Sequence, residues 1–183
     1  MGIINLMRFS NPEENILRFK LEPGMFVADL GAGGGGYTIP SARAVGKRGK
    51  VYAIDIQQEL LSRIKNIANK EGLDNVEVIW GDVETQGGSG LKDKTIDAVI
   101  ISNILFLIKD KDGLVQEISR VLKLSGKVLV VDWKDSFGGL GPKSESIVSL
   151  SEVKEIFGIH NFNINNEIQV GAHHYGAIFK IKS

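Results

Sequence analysis

The sequence predicts a three-layer α/β fold, in which a mostly parallel, seven-stranded sheet lies between helices and receives an antiparallel strand from a C-terminal hairpin. Short apolar runs rich in β-branched residues alternate with helix-like segments, and the runs are apolar almost throughout, as in strands covered on both faces. Near the C-terminus, strand-like residues 161–170 and 175–181 are separated by four residues, a connection too short for a parallel return.

Five apolar runs are predicted to form the parallel strands. They cover residues 25–30, 51–56, 76–80, 96–101 and 128–133. Between the strands, apolar residues recur at helical spacing in residues 60–68 and 114–122, so each of these segments presents one apolar stripe to a sheet face.

The ends of these helices and the remaining segments are predicted from their turn residues. Gly72 and Gly126 stand where the two helices are expected to end in a left-handed residue or a turn. A short helix is predicted over residues 150–157, ahead of the hairpin. Residues 86–90, which are mostly Gly and Ser, are expected to form a flexible surface loop.

The composition restricts the classes of function. The chain has 183 residues, of which 43% are hydrophobic and 24% charged, and this excludes intrinsic disorder. Lys and Arg total 22, as do Asp and Glu, so the net charge is zero and nucleic acid is disfavoured as the main partner. There is no Cys, hence no disulfide, thiolate zinc site or cysteine nucleophile.

The sequence favours one soluble, cytoplasmic domain over residues 1–183. No apolar run reaches the roughly 18 residues that cross a bilayer, so no membrane span is expected, and the first residues lack the pattern of a secretory signal. Residues 1–22, which include Phe9, are predicted to form an N-terminal lid segment. The oligomeric state is left open.

A glycine-rich turn follows the first strand. Gly31, Gly33 and Gly36 match G-x-G-x-x-G, in which glycines let the backbone approach a ligand at the start of a helix. Asp55, at the end of the second strand, lies 24 residues after Gly31, where a carboxylate accepts hydrogen bonds from the ribose hydroxyls of an adenosine. The alternative for Asp55 is a structural cap of the next helix.

Asp29 helps to distinguish between adenosyl ligands. It precedes the first glycine by two positions, where a dinucleotide-binding strand usually carries an apolar residue. A buried carboxylate needs a positive or hydrogen-bonding partner. The ammonium group of a methionine moiety provides one, whereas a pyrophosphate would be repelled.

Five stretches, in order, resemble motifs of the class I S-adenosylmethionine-dependent methyltransferases. Motif I, the ribose-binding strand, the adenine stretch, motif IV and the approach to strand five are matched by residues 27–35, 51–55, 81–84, 97–103 and 118–128. The last stretch has Ser125-Gly126 where the family often has Pro-Gly. Within the family, the chain is most similar to small-molecule methyltransferases of the ubiquinone/menaquinone-biosynthesis C-methyltransferase type, on residues 141–143, 150–153 and 173–176.

This resemblance implies a Rossmann-like fold, S-adenosylmethionine as the cofactor and a small-molecule methyl acceptor as the partner. The cofactor-binding residues carried over from the family are Asp29, Gly31, Ala32, Gly33, Tyr37, Asp55, Ile56, Asp82, Val83, Ser102 and Asn103. Methyl transfer from a sulfonium is an in-line displacement, so the protein mainly positions the acceptor, excludes water and sometimes removes a proton.

Several kinds of methyl transfer do not fit the sequence. The absence of Cys excludes the covalent cytosine-C5 mechanism and thiol-relay arsenic chemistry. Residues 102–105 depart from the Asn/Asp-Pro-Pro-aromatic pattern of the adenine-N6 class. Ser102 stands where metal-dependent catechol enzymes carry an Asp, so no metal site is predicted, although Asp132 and Asp135 are nearby in sequence.

His173 and His174 are the candidate catalytic residues. The hairpin that carries them is expected at the carboxyl edge of the sheet, where a His would accept a proton from a hydroxyl or an acidic carbon. The alternative, which the sequence favours, is that both imidazoles are solvated turn residues beside a packed Tyr175. Four aromatic residues after strand ends are expected either to wall the pocket or simply to pack: Trp80, Phe106, Trp133 and Phe137.

Two other functions stay open at this point. The G-x-G-x-x-G match is compatible with an NAD(P)-dependent Rossmann oxidoreductase, although Asp29 and the terminal hairpin disfavour it. The small size of the chain is compatible with a non-catalytic S-adenosylmethionine-binding module.

Overall fold

A computed structural model describes residues 10–137, 139 and 141–182. Phe9, together with most of the first half of the predicted lid segment, lies outside the described residues. The helices are α1 (Pro12–Phe19), α2 (Thr38–Val45), α3 (Gln58–Glu71), α4 (Lys111–Val121) and α5 (Leu150–Ile159). The strands are β1 (Phe26–Leu30), β2 (Lys50–Asp55), β3 (Val76–Trp80), β4 (Ile96–Ser102), β5 (Leu122–Trp133), β6 (Phe162–Ile168) and β7 (His174–Ile181).

The strands form one seven-stranded sheet in the order β3-β2-β1-β4-β5-β7-β6. Strands β1 to β5 pair in parallel, and β7 pairs antiparallel with both β5 and β6. This arrangement confirms the predicted fold class, including the single antiparallel strand. The carboxyl ends of β1 to β5, and the β6–β7 turn, therefore meet at one edge of the sheet, which we call the carboxyl edge.

Helices cover both faces of the sheet and complete the three layers. On one face, α1 and α2 pack through Ile16, Phe19 and Val45 against the central strands. Leu61 and Ile64 of α3 pack against Ala53 of β2. The other face is covered by α4 and α5, whose apolar residues share a cluster with the sheet. No helix in the described ranges is long and apolar enough to cross a membrane.

Local signals explain where several helices begin and end. Asn11 accepts hydrogen bonds from two backbone N–H groups of the first turn of α1. Ser149 and Glu152 form a reciprocal capping box at the start of α5. Gly72 ends α3 in a left-handed conformation, with φ of 67°, as predicted.

One prediction about a turn was wrong, and one about a loop was right only in part. Gly126 does not end α4, because that helix ends at Val121 and passes directly into β5, which contains Gly126. Residues 86–90 are not simply a surface loop, since Ser89 is fully buried. Its hydroxyl donates to the Glu117 carboxylate of α4, which also accepts from the Gly87 and Ser89 N–H groups.

Candidate active site

The glycine turn after β1 forms the centre of the candidate site. Gly31 and Gly33 have φ of 71° and 53°, a region that favours glycine. A Cβ at position 31 would lie 2.8 Å from Ile104 Cγ2, so Gly31 is also required by close packing. At position 33 a Cβ would meet only the Gly31 carbonyl oxygen, at 4.0 Å. The backbone at Gly33 is therefore open on the side to which a Cβ would point.

Asp55 lies beside this turn at the end of β2. One carboxylate oxygen accepts from the Gly33 N–H at 2.9 Å and the other from the Gln57 N–H, also at 2.9 Å. Each oxygen keeps a further lone pair for a hydroxyl donor. Gln57, not Asp55, is the N-cap of α3, so Asp55 does not cap that helix. Its structural role is to hold the glycine turn through the Gly33 N–H. This geometry fits the ribose of an adenosyl cofactor.

Asp29 is buried below the turn, with 2% of its surface exposed. Its carboxylate accepts a 2.6 Å hydrogen bond from the Thr38 hydroxyl. Burial raises the pKa of Asp29 to about 7, and the negative charge of Asp55 adds to the shift. Because the contacts with Thr38 only partly offset the cost of burying this carboxylate, a cationic group on a ligand would stabilise its ionised form.

Tyr37 connects the glycine turn to the N-terminal helix. Its hydroxyl oxygen accepts from the Asn15 side-chain amide at 2.7 Å and lies 3.1 Å from the Ser10 hydroxyl oxygen. Burial raises the pKa of Tyr37, although hydrogen bonds with Ser10, Asn15 and Ser102 oppose that shift. The start of α1 is thus fixed next to the glycine turn.

The predicted adenine-binding residues, which follow β2 and β3, differ in exposure. Ile56 is 64% exposed, Asp82 is exposed and Val83 is buried. Asp82 accepts from the Glu84 N–H, while the Glu84 carboxylate accepts from the Lys109 and Asp110 N–H groups. These contacts fix the segment after β3 against the segment before α4.

Ser102 and Asn103 lie at the end of β4, next to the end of β5. Asn103 is left-handed, with φ of 55°, and its N–H donates to the Val131 carbonyl. Asp132 of β5 accepts from the N–H groups of Ile104 and Leu105. Burial raises the pKa of Asp132 to about 6 despite its backbone hydrogen bonds. Asp132 therefore shapes the loop after β4.

The structure separates the two candidate catalytic histidines. His173 Nδ1 lies 2.6 Å from the Asp135 carboxylate, and its ring stacks on Phe137 at 4.2 Å between centroids. His174 is buried against Trp133, with ring centroids 4.2 Å apart. Neither imidazole is a solvated turn residue, so that expectation was wrong. The turn does lie at the carboxyl edge as predicted, since His174 pairs with Trp133 at the end of β5.

The aromatic residues after strand ends have different surroundings. Trp80 is 67% exposed and donates its ring N–H to the Ile56 carbonyl. Phe106 is half-buried. Trp133 and Phe137 pack on the two histidines. Trp133 and Phe137 thus lie beside the two histidines, whereas Trp80 lies at the end of β3, next to Ile56.

The described residues contain no group of three His, Asp or Glu side chains able to hold a metal ion. A cavity of about 530 Å³ lies at the opposite edge of the sheet, between the ends of α2 and α3. It contains none of the predicted site residues. The candidate residues lie instead along the carboxyl edge, from the ends of β1, β2 and β4 to the start of β7.

Three residues that matter to this site were not assigned by the sequence. Thr38 is the partner of Asp29, and its only signal is its place in the first turn after the glycines. Asn15 binds Tyr37 from a helix with no motif of its own. Asp132 was considered only as a metal ligand, whereas it accepts hydrogen bonds from the backbone.

Comparison with known proteins identifies the family. Residues 21–173 match the model of the methyltransferase domain family. A crystal structure of an S-adenosylmethionine-dependent methyltransferase from Aquifex aeolicus is 30% identical, with a TM-score of 0.84, over 93% of this chain and 89% of that one.

Two curated relatives match over shorter regions. The ubiquinone/menaquinone biosynthesis C-methyltransferase UbiE of Escherichia coli is 35% identical over 114 residues, 60% of this chain and 43% of that protein. An arsenite methyltransferase of Halobacterium salinarum is 30% identical over 112 residues, 61% of this chain and 28% of that protein. The match thus spans less than half of the length of each curated relative.

The sheet order, the glycine turn and these comparisons agree. The cofactor of the family is S-adenosylmethionine. The chain therefore belongs to the class I S-adenosylmethionine-dependent methyltransferases.

Proposed function

We propose that this protein transfers the methyl group of S-adenosylmethionine to a small-molecule acceptor by in-line displacement. The observation that carries the proposal is the pair of carboxylates at an open glycine turn, with Asp55 suited to ribose hydroxyls and Asp29 to an ammonium group. A small acceptor is supported by the zero net charge and by the two curated relatives, whose names specify ubiquinone/menaquinone biosynthesis and arsenite. Arsenite itself is disfavoured here, because the chain has no Cys.

The chain's own residues would hold the cofactor and exclude water. When bound, S-adenosylmethionine supplies an electrophilic methyl group on a sulfonium. Asp55 and the Gly31–Gly33 backbone would orient the adenosyl part, while Asp29 would pair with the ammonium group. Tyr37, fixed by Asn15 of α1, would close the side of the pocket against solvent. Positioning alone accounts for much of the barrier reduction in such displacements.

For an acceptor that must lose a proton, we propose His173 as the general base. Asp135 lies 2.6 Å from Nδ1 and would hold the tautomer in which Nδ1 carries the proton, so that Nε2 is the basic atom. Alternatively, a basic group of the acceptor takes up the proton, or the transfer needs no base. We expect His173→Ala to lower kcat by about 100-fold with little change in cofactor affinity.

The matched control for this variant is His160→Ala. His160 also lies 2.6 Å from a carboxylate, that of Asp112, but it ends α5 on another part of the surface. Its substitution should leave kcat unchanged. Wild-type turnover in the His173 variant would exclude His173 as the base.

The proposed activity is tested with labelled S-adenosylmethionine and a panel of hydroxyl, amine, thiol and activated-carbon acceptors, with RNA and DNA included. Transfer to a small molecule is expected, with an acceptor affinity that depends weakly on salt. Steep loss of affinity between low and moderate salt would indicate a nucleic acid instead. Cofactor binding with no transfer to any acceptor would favour a non-catalytic binding module.

A further inference from the structure

Unsatisfied polar atoms are concentrated at the carboxyl edge. Among the described residues, four buried side-chain nitrogen or oxygen atoms have no hydrogen-bond partner: Ser41 Oγ, Asn103 Oδ1 and both ring nitrogens of His174. Three of the four belong to two residues at this edge: Asn103 directly follows β4, and His174 begins β7, next to the end of β5. Buried polar groups are nearly always paired in native proteins, so this concentration requires an explanation.

His174 is the clearest case. Only 5% of its surface is exposed, and it begins β7 directly opposite Trp133 of β5. The two rings are tilted by 39°, with centroids 4.2 Å apart. A Cβ on Gly141 would lie 2.8 Å from the Trp133 ring, so the Gly141 backbone also packs closely against the indole. The imidazole is therefore fixed in place by packing rather than by a polar partner.

The unpartnered imidazole is also uncharged. Burial lowers the pKa of His174 to about 4, and the neighbouring His173 adds to that shift. A neutral imidazole offers one donor and one acceptor nitrogen. Leaving both unpaired destabilises the folded protein, and an apolar side chain of similar size would avoid that cost. A buried polar group that has no partner, and so destabilises the folded protein, is typical of a site that binds a ligand.

We propose that His174 hydrogen-bonds the methyl acceptor, and that the acceptor presents an uncharged hydroxyl group there. A hydroxyl both donates and accepts, so it can pair with either ring nitrogen. A carboxylate would need a cation beside it, and an ammonium group would need an anion; the imidazole supplies neither, and the nearby charges of Asp135 and Lys134 act on it in opposite directions. The Trp133 ring beside it favours an apolar group next to the hydroxyl. This inference rests on the proposed function, since it assumes that the acceptor binds at this edge.

The direct test follows the imidazole nitrogens of the full chain by NMR, with ¹⁵N-labelled histidine and saturating S-adenosylhomocysteine. Phenol and toluene are the probes, because they match in shape and differ in the hydroxyl, and benzoate tests an anionic group. Phenol should shift the His174 ring signals in a saturable manner, and toluene and benzoate should not. His174→Leu assigns the signals and should weaken phenol binding by about tenfold.

Stability provides a second and independent measurement. Because His174→Leu removes two unpaired buried nitrogens and keeps the volume similar, it should raise Tm by about 2–4 °C. The control His160→Leu removes a partnered imidazole and should not raise Tm. A lower Tm in the His174 variant would show that the imidazole is satisfied in the protein itself and would overturn the proposal.

The proposed function and the role of His174 can be contradicted separately. If S-adenosylhomocysteine does not bind, the proposed function is wrong. If it binds and phenol leaves the His174 signals unchanged, or if His174→Leu binds phenol as tightly as the wild type, only the role of His174 is wrong.

Discussion

Asp29 and Asp55 are both buried carboxylates at the same turn, but they are satisfied differently. Asp55 accepts from two backbone N–H groups, whereas Asp29 accepts from the Thr38 hydroxyl. With a pKa of about 7, Asp29 is protonated in a large fraction of molecules at neutral pH. A ligand carrying an ammonium group would bind the ionised form, so cofactor binding should displace this proton.

This difference predicts a pH-dependent cofactor affinity. As the pH falls from 8 to 6, through the pKa of Asp29, the affinity for S-adenosylmethionine should decrease by about tenfold because fewer molecules carry the ionised carboxylate. Calorimetry in two buffers of different ionisation enthalpy should show proton release near pH 7.

The control is Asp29→Asn, which cannot ionise and should bind weakly with no pH dependence in that range. A wild-type affinity that is constant between pH 6 and 8 would place the ammonium group away from Asp29.

At the scale of elements, the segment after β3 is held by the buried carboxylate of Glu117 on α4. Burial alone would raise its pKa, but hydrogen bonds from Arg120, Ser89 and Gly87 outweigh burial and lower the pKa of Glu117 to about 2. The stability from this contact is therefore present above the usual pKa of a Glu and is lost as the pH falls toward 2.

Glu117→Ala should lower the free energy of unfolding by about 3 kcal/mol, because it leaves two N–H groups and the Ser89 hydroxyl without their acceptor and removes one of the two carboxylates paired with Arg120, which keeps Asp93. Urea denaturation at pH 7 measures this change. Glu167→Ala, which removes an exposed ion pair with Lys154, serves as the control and should change the value by less than about 1 kcal/mol. Equal effects in both variants would contradict the anchoring role of Glu117.

The sequence predicted the elements better than their surroundings. The apolar runs and the short hairpin connection were sufficient to predict all seven strands, because the burial of a strand is visible in the residues of that strand alone. The prediction that Gly126 ends a helix was wrong, because a glycine between a helical and a strand-like segment does not show that β5 has already begun before it. The burial of Ser89 and the pairing of His173 with Asp135 depend on contacts 28 and 38 residues apart, which no local pattern records.

At the scale of the whole molecule, we propose that residues 1–183 form a single domain. One sheet runs through the described residues, and α1 is tied to it where Lys127 of β5 donates to the carbonyls of Phe19 and Lys20. Thermal unfolding should therefore be one transition, with the same midpoint by circular dichroism and by the fluorescence of Trp80 and Trp133.

Cofactor should shift that transition without splitting it. S-adenosylmethionine at 100 times its Kd should stabilise the protein by about 2.7 kcal/mol and raise Tm by about 5–10 °C. Separate midpoints for the two probes would contradict a single cooperative domain.

The most direct test of the account is calorimetric titration of the wild type and Asp55→Ala with S-adenosylmethionine and, separately, with NAD. The wild type should bind S-adenosylmethionine and not NAD. The variant should lose about 1.5–3 kcal/mol of binding free energy, because the ribose hydroxyls lose a charged acceptor in a mostly buried site. Unchanged affinity in Asp55→Ala, or binding of NAD in place of S-adenosylmethionine, would contradict the account.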